Sequence, residues 1–510
     1  MQVITTDYPA TLQKKPIVWT IAGSDSGGGA GIQADLHTFH SLHVHGCSVI
    51  AAITAQNSQG VLKIAASDGE ILTQQISALD ADLPAKTIKL GMLGSTENLI
   101  LVHNYLKNFR GAIICDPVLS SSSGQLLFDP LALDLYRHKI LTCSTVITPN
   151  LPEAELLSGV KILNHADMVK AAKTLHAFGP KAVIIKGGHF DSRHSDNKNS
   201  DDPTWAQDFC YLGEESFWLT TPRWSNSNLH GTGCTFAAAI AAALALDYIL
   251  QDALIIAKAY VSQSIRFAQQ LGKGPGPVVH LGWPNYREDI PLLTSTAEAA
   301  WERKSFRSCD TQQLGLYPIV DNLANLTMLL ELGVNTLQLR VKKVEPDELD
   351  ALIQEACRLG NAFGCRLFIN DYWQLAIKHH AYGVHLGQED LLTADLAAIR
   401  ENGLRLGVSS HCYFEIATAL GLAPSYIAYG PVYETFLKQM PFCPRGIKSL
   451  HYWVSLLDDY PMVAIGGISE ARMPEVIATG VGSVAVVSAI SQAEDPVAAT
   501  KRLLAMFPQQ

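Results

Sequence analysis

His230-Gly231-Thr232-Gly233-Cys234-Thr235 runs directly into Phe236-Ala237-Ala238-Ala239-Ile240 and further alanine. The two glycines free the backbone for a tight turn, and the alanine-rich run after them is a strong helix former. The spacing therefore predicts a turn that delivers Cys234 to a helix N-terminus, where several backbone N–H groups have no intrahelical partner. Such a terminus attracts anions and favours the thiolate of a nearby cysteine. A phosphate pocket with a base in its wall is the functional expectation. A glycine loop before a buried helix carrying a small apolar cysteine is the plainer one, and the rest of the chain decides between them.

Upstream, Ile17-Val-Trp-Thr-Ile-Ala22 reads as a short buried strand leading into Gly23-Ser-Asp-Ser-Gly-Gly-Gly-Ala-Gly31. A helix is expected from about Ile32 to Leu42, and it contains Asp35. Strand, glycine-rich turn and helix together suit a phosphate or the close approach of a small ligand, although no Gly-Lys-Ser/Thr follows as in a P-loop. Strands are predicted at Ser48–Ala55, Thr87–Leu90, Ala112–Cys115, Val146–Thr148 and Ala182–Lys186, with helices at Glu70–Leu79 and Asn98–Phe109. That alternation predicts βαβ units and a parallel sheet covered on both faces. Gln56-Asn57, Gly91-Met92, Asp116-Pro117-Val118, Asn150 with Glu153, and Lys186 all stand at strand ends, so they should ring one cleft. His37, His40, His43 and His45 lack a cysteine or carboxylate to complete a metal site and read as solvated helix-end histidines. The polar stretch from Asp191 to Pro203 reads as an exposed insertion.

These parts form a constellation. It holds an anion-binding helix end (Gly231–Cys234), a lysine, an Asn-x-x-Glu pair suited to water-mediated magnesium, and an acid, Asp35, beside a small-molecule pocket. Phosphoryl transfer from ATP to a small hydroxyl compound needs these and little else. Ala22-Gly-Ser-Asp-Ser-Gly-Gly-Gly-Ala-Gly-Ile-Gln-Ala-Asp35, Ala55-Gln-Asn57, Gly91-Met-Leu93, Asp116-Pro-Val118, Thr148-Pro-Asn-Leu-Pro-Glu-Ala154, Lys186-Gly-Gly-His189 and His230-Gly-Thr-Gly-Cys-Thr235 resemble the hydroxymethylpyrimidine and phosphomethylpyrimidine kinases of thiamine biosynthesis. The resemblance spans about residues 16–284 and implies a ribokinase-like sandwich, a mostly parallel sheet with helices on both faces. It implies that Asp35, Gln56, Met92 and Val118 line the pyrimidine pocket, that Cys234 acts as base over the amides of Gly231 and Gly233, and that Asn150, Glu153 and Lys186 handle ATP and Mg2+. One departure is Ser120-Ser-Ser-Ser123, where the family often carries Lys or Thr in its phosphate flap.

Length and composition set the frame. With 510 residues, 48% of them hydrophobic and 17% charged, the chain is expected to hold two or three cored domains. A formal charge of −10 argues against nucleic acid or an anionic membrane as partner. No secretion signal is read at the start, and the apolar run Phe236–Leu246 is too short to span a bilayer. Ten scattered cysteines without a Cys-x-x-Cys pair read as reduced thiols, hence a cytoplasmic protein. A homo-oligomer acting on small molecules is expected.

Between about 286 and 313 the periodicity lapses, which predicts a linker between domains 1–285 and 314–510. Beyond it, eight short apolar runs follow: Leu316–Val320, Thr336–Arg340, Arg366–Ile369, Gly383–Leu386, Arg405–Ser409, Tyr426–Tyr429, Met462–Ile465 and Ser483–Val487. Eight βα units in this length predict a (β/α)8 TIM barrel, whose strand ends supply the chemistry. Arg340, Lys342 and Lys438 suit diphosphate oxygens, and Asp371 with Asp390 suits a magnesium ion. Ser409-Ser-His411 also stands at a strand end.

Gly315-Leu-Tyr-Pro318, Leu337-Gln-Leu-Arg-Val-Lys342, Leu367-Phe-Ile-Asn-Asp-Tyr-Trp373, Gly383-Val-His-Leu-Gly-Gln-Glu-Asp390, Leu406-Gly-Val-Ser409, Lys438-Gln-Met-Pro441, Ala464-Ile-Gly-Gly-Ile468 and Val486-Val-Ser-Ala-Ile490 resemble thiamine phosphate synthase. That family joins hydroxymethylpyrimidine diphosphate to thiazole phosphate and releases pyrophosphate. The resemblance implies diphosphate binding by Gln338, Leu339, Arg340, Val341, Lys342, Asn370, Ser409 and Lys438, and magnesium at Asp371 and Asp390. Thiazole phosphate would fall to Thr435, Phe436, Leu437, Gly467, Val487 and Ser488. The family usually shows Thr-x-Thr before the lysine, and Leu437 replaces the second threonine here. One lost charge-assisted hydrogen bond, about 1.5–3 kcal/mol, predicts weaker thiazole phosphate binding. The competing expectation is a pyridoxal-type (vitamin B6) kinase fused to a non-catalytic, regulatory barrel.

Overall fold

Asp25, not the apolar Ala22, ends the first strand in the computed structural model, which describes residues 14–119, 133–188, 205–342, 344–434 and 444–507. The chain divides into two units between Trp301 and Glu302.

The first unit begins β1 (Ile17–Asp25), α1 (Gly31–Ser41), β2 (His45–Asn57), β3 (Gly60–Ala66), α2 (Gly69–Asp82) and β4 (Thr87–Leu90). It continues α3 (Thr96–Leu106), β5 (Ala112–Cys115), α4 (Leu133–Tyr136), β6 (Val146–Ile147), α5 (Leu151–Ser158), α6 (His165–His176) and β7 (Ala182–Lys186). Then come β8 (Trp205–Tyr211), β9 (Ser216–Pro222), α7 (Thr232–Ala245), α8 (Leu250–Arg266) and β10 (Leu292–Thr294). One ten-stranded sheet results, ordered β10-β9-β8-β7-β6-β5-β4-β1-β2-β3. Its middle, from β7 to β2, is parallel, while β3 and the β8–β10 edge run antiparallel.

Sequence explains why. β4 and β6 are buried at every position, as strands covered on both faces are, and β4 carries Lys89 within its otherwise largely apolar run. The helices α2, α3 and α6 open on side-chain caps from Asp68, Ser95 and Asn164. Leu72, Leu99, Val102, Leu157 and Met168 from the helices of one face close over Trp19, Ile21, Val49, Ile88 and Val183 of the sheet. On the other face the alanine-rich α7 packs against α1, α8, β4 and β5. Its small side chains let it lie close enough for Thr87 Oγ1 to donate to Ala241 O at 2.9 Å.

The antiparallel additions were not expected. β3 exposes most of its side chains and so shows no apolar alternation to read. Residues 286–313, expected as a linker, are packed: β10 pairs with β9, and Ala297 and Ala300 are buried in the first unit. In the second unit Phe306 is buried, and its N–H donates to Ala423 O at 3.0 Å. Scattered short apolar side chains gave these contacts no period.

The second unit is a closed barrel of β11 (Gly315–Val320), β12 (Thr336–Leu339), β13 (Arg366–Asn370), β14 (Gly383–Leu386), β15 (Arg405–Ser410), β16 (Tyr426–Tyr429), β17 (Met462–Ala464) and β18 (Ser483–Val486). All its pairings are parallel, and β18 returns to β11. Tyr317, Ile319, Phe368, Tyr426, Val463 and Ala485 form its interior cluster. The expected eight-stranded parallel barrel is present, with strand ends within two residues of the apolar runs. Among the described residues no helix is long and apolar enough to cross a membrane.

Candidate active sites

Asp25 organises the glycine-rich loop after β1. Its Oδ1 accepts from Gly27 N–H at 2.7 Å, and its Oδ2 accepts from Gly29 N–H at 3.1 Å and Ala30 N–H at 2.9 Å. Burial raises the Asp25 carboxyl, but His230 and these amides outweigh it and hold it below the usual range. Those amides therefore do not face a phosphate, as strand–turn–helix spacing suggested; an internal carboxylate has taken them. His230 Nε2 lies 3.0 Å from Asp25 Oδ2 and 3.3 Å from Gln56 Nε2, which ties this loop to the turn before α7. Gly231 caps α7 at φ +84°, and a side chain there would collide with the carbonyl of Gly29, so only glycine closes the two loops.

Cys234 lies in the first turn of α7, half-buried. Its thiol moves opposite to the expectation. Burial, joined by the Asp35 and Asp116 carboxylates, pushes it up to about 11, against Lys89 and the amide of Gly31. It is a thiol at neutral pH because desolvation and two nearby carboxylates exceed what one helix end and one lysine supply.

Around Cys234 runs a chain of charged side chains. Asp35 Oδ2 accepts from Lys89 Nζ at 2.8 Å and from Thr20 Oγ1 at 2.6 Å, and the Asp35–Lys89 pair is fully buried. Asp35 and Asp116 hold the Lys89 ammonium charged against the cost of burial. Asp35 Oδ1 has no protein partner, which leaves one acceptor for a ligand. Lys186 Nζ donates to Asp116 Oδ1 at 2.7 Å, with Thr148 Oγ1 on the same oxygen at 3.2 Å. A Cβ on Gly233 would lie 3.1 Å from Lys186 Nζ and 3.4 Å from Asp116 Oδ2, so the start of α7 sits on this pair. Met92 packs on Gly23, and Gln56 and Val118 are half-buried.

Asn150 and Glu153, expected on metal and nucleotide, hold the start of α5. The Asn150 side chain accepts from Glu153 N–H at 2.9 Å, and Glu153 Oε2 accepts from Asn150 N–H at 2.9 Å. Burial drives Glu153 up to about 7; Lys186 opposes that and Asp116 adds to it.

In the barrel, Asp371 at φ +65° follows β13 and donates its N–H to His385 O at 3.0 Å. Desolvation and the hydrogen-bonded Asp390 carboxyl push Asp371 up to about 6, against Arg340 and Lys342. Asp390 Oδ2 also accepts from Gly387 N–H at 3.1 Å. Two carboxyls hydrogen-bond only around a shared proton, and a cation would replace it, so this donor pair fits Mg2+. Gln338 and Asn370 are buried at the ends of their strands, Arg340 is half-buried and Lys342 is exposed. Leu339 and Val341 are buried, so only their backbone is available to a diphosphate. Gly467 follows β17 at φ +66° and its carbonyl accepts from Arg472 Nη1 at 2.7 Å; Val487 and Ser488 follow β18. Loops after the seventh and eighth strands form the phosphate site usual in barrels.

Known proteins divide along the same line. Residues 25–279, half of the chain, match the family model for phosphomethylpyrimidine kinase, and residues 316–490 match that for thiamine monophosphate synthase. The thiamine-phosphate synthase of Klebsiella pneumoniae subsp. pneumoniae is 59% identical over 194 residues, which is 38% of this chain and 92% of that one. That of Escherichia coli O157:H7 is 59% identical over 192 residues, 38% of this chain and 91% of that one. The chain belongs to both families. It is a bifunctional enzyme, a kinase unit followed by a synthase unit. Among solved structures, a phosphomethylpyrimidine kinase from Clostridium difficile is 36% identical over 49% of this chain and 100% of its own, with a TM-score of 0.42. The pyridoxal kinase from Staphylococcus aureus in complex with ADP is 32% identical over 56% and 99%, with a TM-score of 0.49.

Several expected residues lie outside those described: Thr435, Phe436, Leu437 and Lys438 of the synthase unit, and Ser120–Ser123 and His189 of the kinase unit. Sequence reading missed Lys89 because it sits within an apolar strand, and it passed over Asp25 and Thr148. Their signal was faint but present: a lysine in a fully buried run is stable only beside a carboxylate.

Proposed function

We propose that the kinase unit, residues 1–285, transfers the γ-phosphoryl group of ATP to 4-amino-5-hydroxymethyl-2-methylpyrimidine and then to its monophosphate. The synthase unit, residues 314–510, joins the resulting diphosphate to thiazole phosphate, giving thiamine phosphate and pyrophosphate. One observation carries this reading: each unit gathers its charged side chains at one end of its strands, where both families do their chemistry.

In the kinase unit the unpartnered Oδ1 of Asp35 supplies an acceptor for the pyrimidine, with Gln56, Met92 and Val118 around the ring. The amides of Gly233 and Cys234 in the first turn of α7 meet the transferred phosphoryl group, and Lys186 neutralises its oxygens. Cys234 can take the hydroxymethyl proton only as a thiolate, so its own proton must first leave to solvent, a loss that burial opposes and the Lys89 ammonium favours. Asn150 and Glu153, with Asp116 near Lys186, would hold Mg2+ through water.

In the synthase unit Asp371 and Asp390 would hold Mg2+, and Arg340 and Lys342 bind the diphosphate with Gln338, Asn370, Ser409 and Lys438. When bound, the metal neutralises charge on the departing pyrophosphate. Thr435, Phe436, Leu437, Gly467, Val487 and Ser488 receive thiazole phosphate.

The experiment is a single mixture of protein, Mg2+, ATP, hydroxymethylpyrimidine, an equal amount of pyridoxal, and thiazole phosphate, followed by mass spectrometry. Thiamine phosphate is expected. Pyrimidine diphosphate without thiamine phosphate would remove the synthase activity, and pyridoxal phosphorylated in place of the pyrimidine would overturn the kinase assignment.

A further inference from the structure

A continuous line of hydrogen bonds crosses the barrel interior between two residues at its mouth. Gln338 Nε2 donates to Tyr317 Oη at 3.4 Å, and Tyr317 Oη lies 2.8 Å from Tyr426 Oη. Tyr426 Oη lies 2.7 Å from His385 Nδ1, and His385 Nε2 lies 2.8 Å from Ser409 Oγ. Gln338, Tyr317, Tyr426 and His385 are each at most 5% exposed, whereas Ser409 is half-buried. The strands are built to admit this line. A Cβ at Gly407, two residues before Ser409 on the same face of β15, would strike the Tyr426 ring. Phe368 and His385 pack against that ring, with centroids 5.0 and 5.7 Å away.

Chemistry gives the line a direction. An amide nitrogen only donates, so Tyr317 Oη accepts from Gln338; its own hydrogen then has Tyr426 Oη as its near acceptor, and the line is taken in that direction. Tyr426 then donates to His385 Nδ1, which fixes the imidazole with its hydrogen on Nε2. That hydrogen goes to Ser409 Oγ, and the serine hydrogen is left to point elsewhere. His385 is almost wholly out of water with a hydroxyl on each ring nitrogen, so it stands in the line as a neutral imidazole.

We propose that His385, Tyr426 and Tyr317 are positioning residues that set Ser409 as a hydrogen-bond donor to the diphosphate oxygens at the barrel mouth. This rests on the synthase reading and deepens it. Without the line, the Ser409 hydroxyl is free to spend its hydrogen on His385 Nε2 and to meet the anion with lone pairs. A tyrosine and a histidine behind Ser409 thus decide whether its hydroxyl attracts the anion.

The test uses magnesium pyrophosphate, the product, as the probe on the full chain. Tyr426→Phe keeps the ring and removes the link, and Ser409→Ala removes the end of the line. Each is expected to weaken pyrophosphate binding about tenfold by calorimetry, and the double variant is expected to be no weaker than Ser409→Ala alone. Additive losses, or full affinity in Tyr426→Phe, overturn the proposal. Phe368→Leu, which disturbs packing around the same ring, is expected to lower the melting temperature and leave pyrophosphate affinity within twofold. A second readout does not depend on the synthase reading. Nitrogen NMR of histidine-labelled protein should show His385 as the Nε2–H form in the wild type and a mixture in Tyr426→Phe; an Nδ1–H form in the wild type sinks the idea. If the wild type binds no pyrophosphate while His385 is the Nε2–H form, the synthase reading has failed and the line stands as structure only, without the proposed role.

Discussion

Lys186 Nζ lies 2.7 Å from Asp116 Oδ1, and both sit against Gly233 at the start of α7. The lysine proposed to meet the incoming phosphate is thus held by a carboxylate almost wholly out of water, with Glu153 as a further acid nearby. Burial alone would lower the Lys186 ammonium, and these two acids raise it. It stays charged throughout the physiological range.

Replacing it should therefore disable phosphoryl transfer without touching the other activity. Lys186→Met is expected to cut pyrimidine phosphorylation by about 10²-fold or more, the usual scale for losing one preorganised donor at a developing charge. Thiamine phosphate formation from supplied pyrimidine diphosphate should be unchanged. Kinase turnover within a few-fold of wild type would remove Lys186 from the site.

Lys89 and Asp35 form a pair with no solvent exposure on either side chain. Removing one partner strands a buried charge, a change that costs about 3–5 kcal/mol, whereas removing both is far milder. Lys89→Met should lower the melting temperature of the kinase unit markedly in scanning calorimetry. Lys89→Met with Asp35→Asn should recover most of it. If the double variant is as unstable as the single one, the loss comes from packing and not from charge.

Cys234 offers a direct check on its environment. Its thiol is pushed up to about 11, so alkylation by iodoacetamide at Cys234 should be slow at pH 7.5 and still rise past pH 10. An unperturbed thiol would be half-ionised near its ordinary value of 9.0 and level off by about pH 10, so a rise that continues beyond pH 10 marks the shift. Peptide mass mapping separates Cys234 from the other cysteines. Rapid labelling at neutral pH would restore the ionised base that its helix position suggested.

The gap between that suggestion and the structure shows what a sequence carries. The strands of both units were legible because long apolar runs and their polar ends survive any context, as Thr87–Leu90 and the eight barrel strands show. Helix-end logic put Cys234 in the first turn of α7, and that too held. Its ionisation was not legible, because it depends on Asp35, Asp116 and Lys89, which come together only through the sheet. Asn150 and Glu153 mark a helix start as strongly as they mark a metal site, and sequence spacing cannot separate the two. The edge strands β3, β8, β9 and β10 escaped because their pairing partners, not their own periodicity, define them.

Asp371 and Asp390 give the last prediction. Their contact and the raised Asp371 carboxyl identify a place where negative charge is crowded before any cation arrives. An acid whose ionisation is raised above its ordinary value of 3.8 stabilises the fold fully below that value, and this share is lost as pH rises through about 6. Without magnesium, the barrel should therefore lose a little stability between about pH 4 and 6, a small effect because Asp371 is exposed to solvent. Asp390→Asn should flatten that slope. Millimolar Mg2+ should raise the melting temperature of the wild-type barrel at pH 7.5, more so with pyrophosphate present, and should do nothing for Asp371→Asn. An equal magnesium shift in that variant would place the ion elsewhere, because a neutral amide at position 371 retains one oxygen but none of the charge that draws the cation.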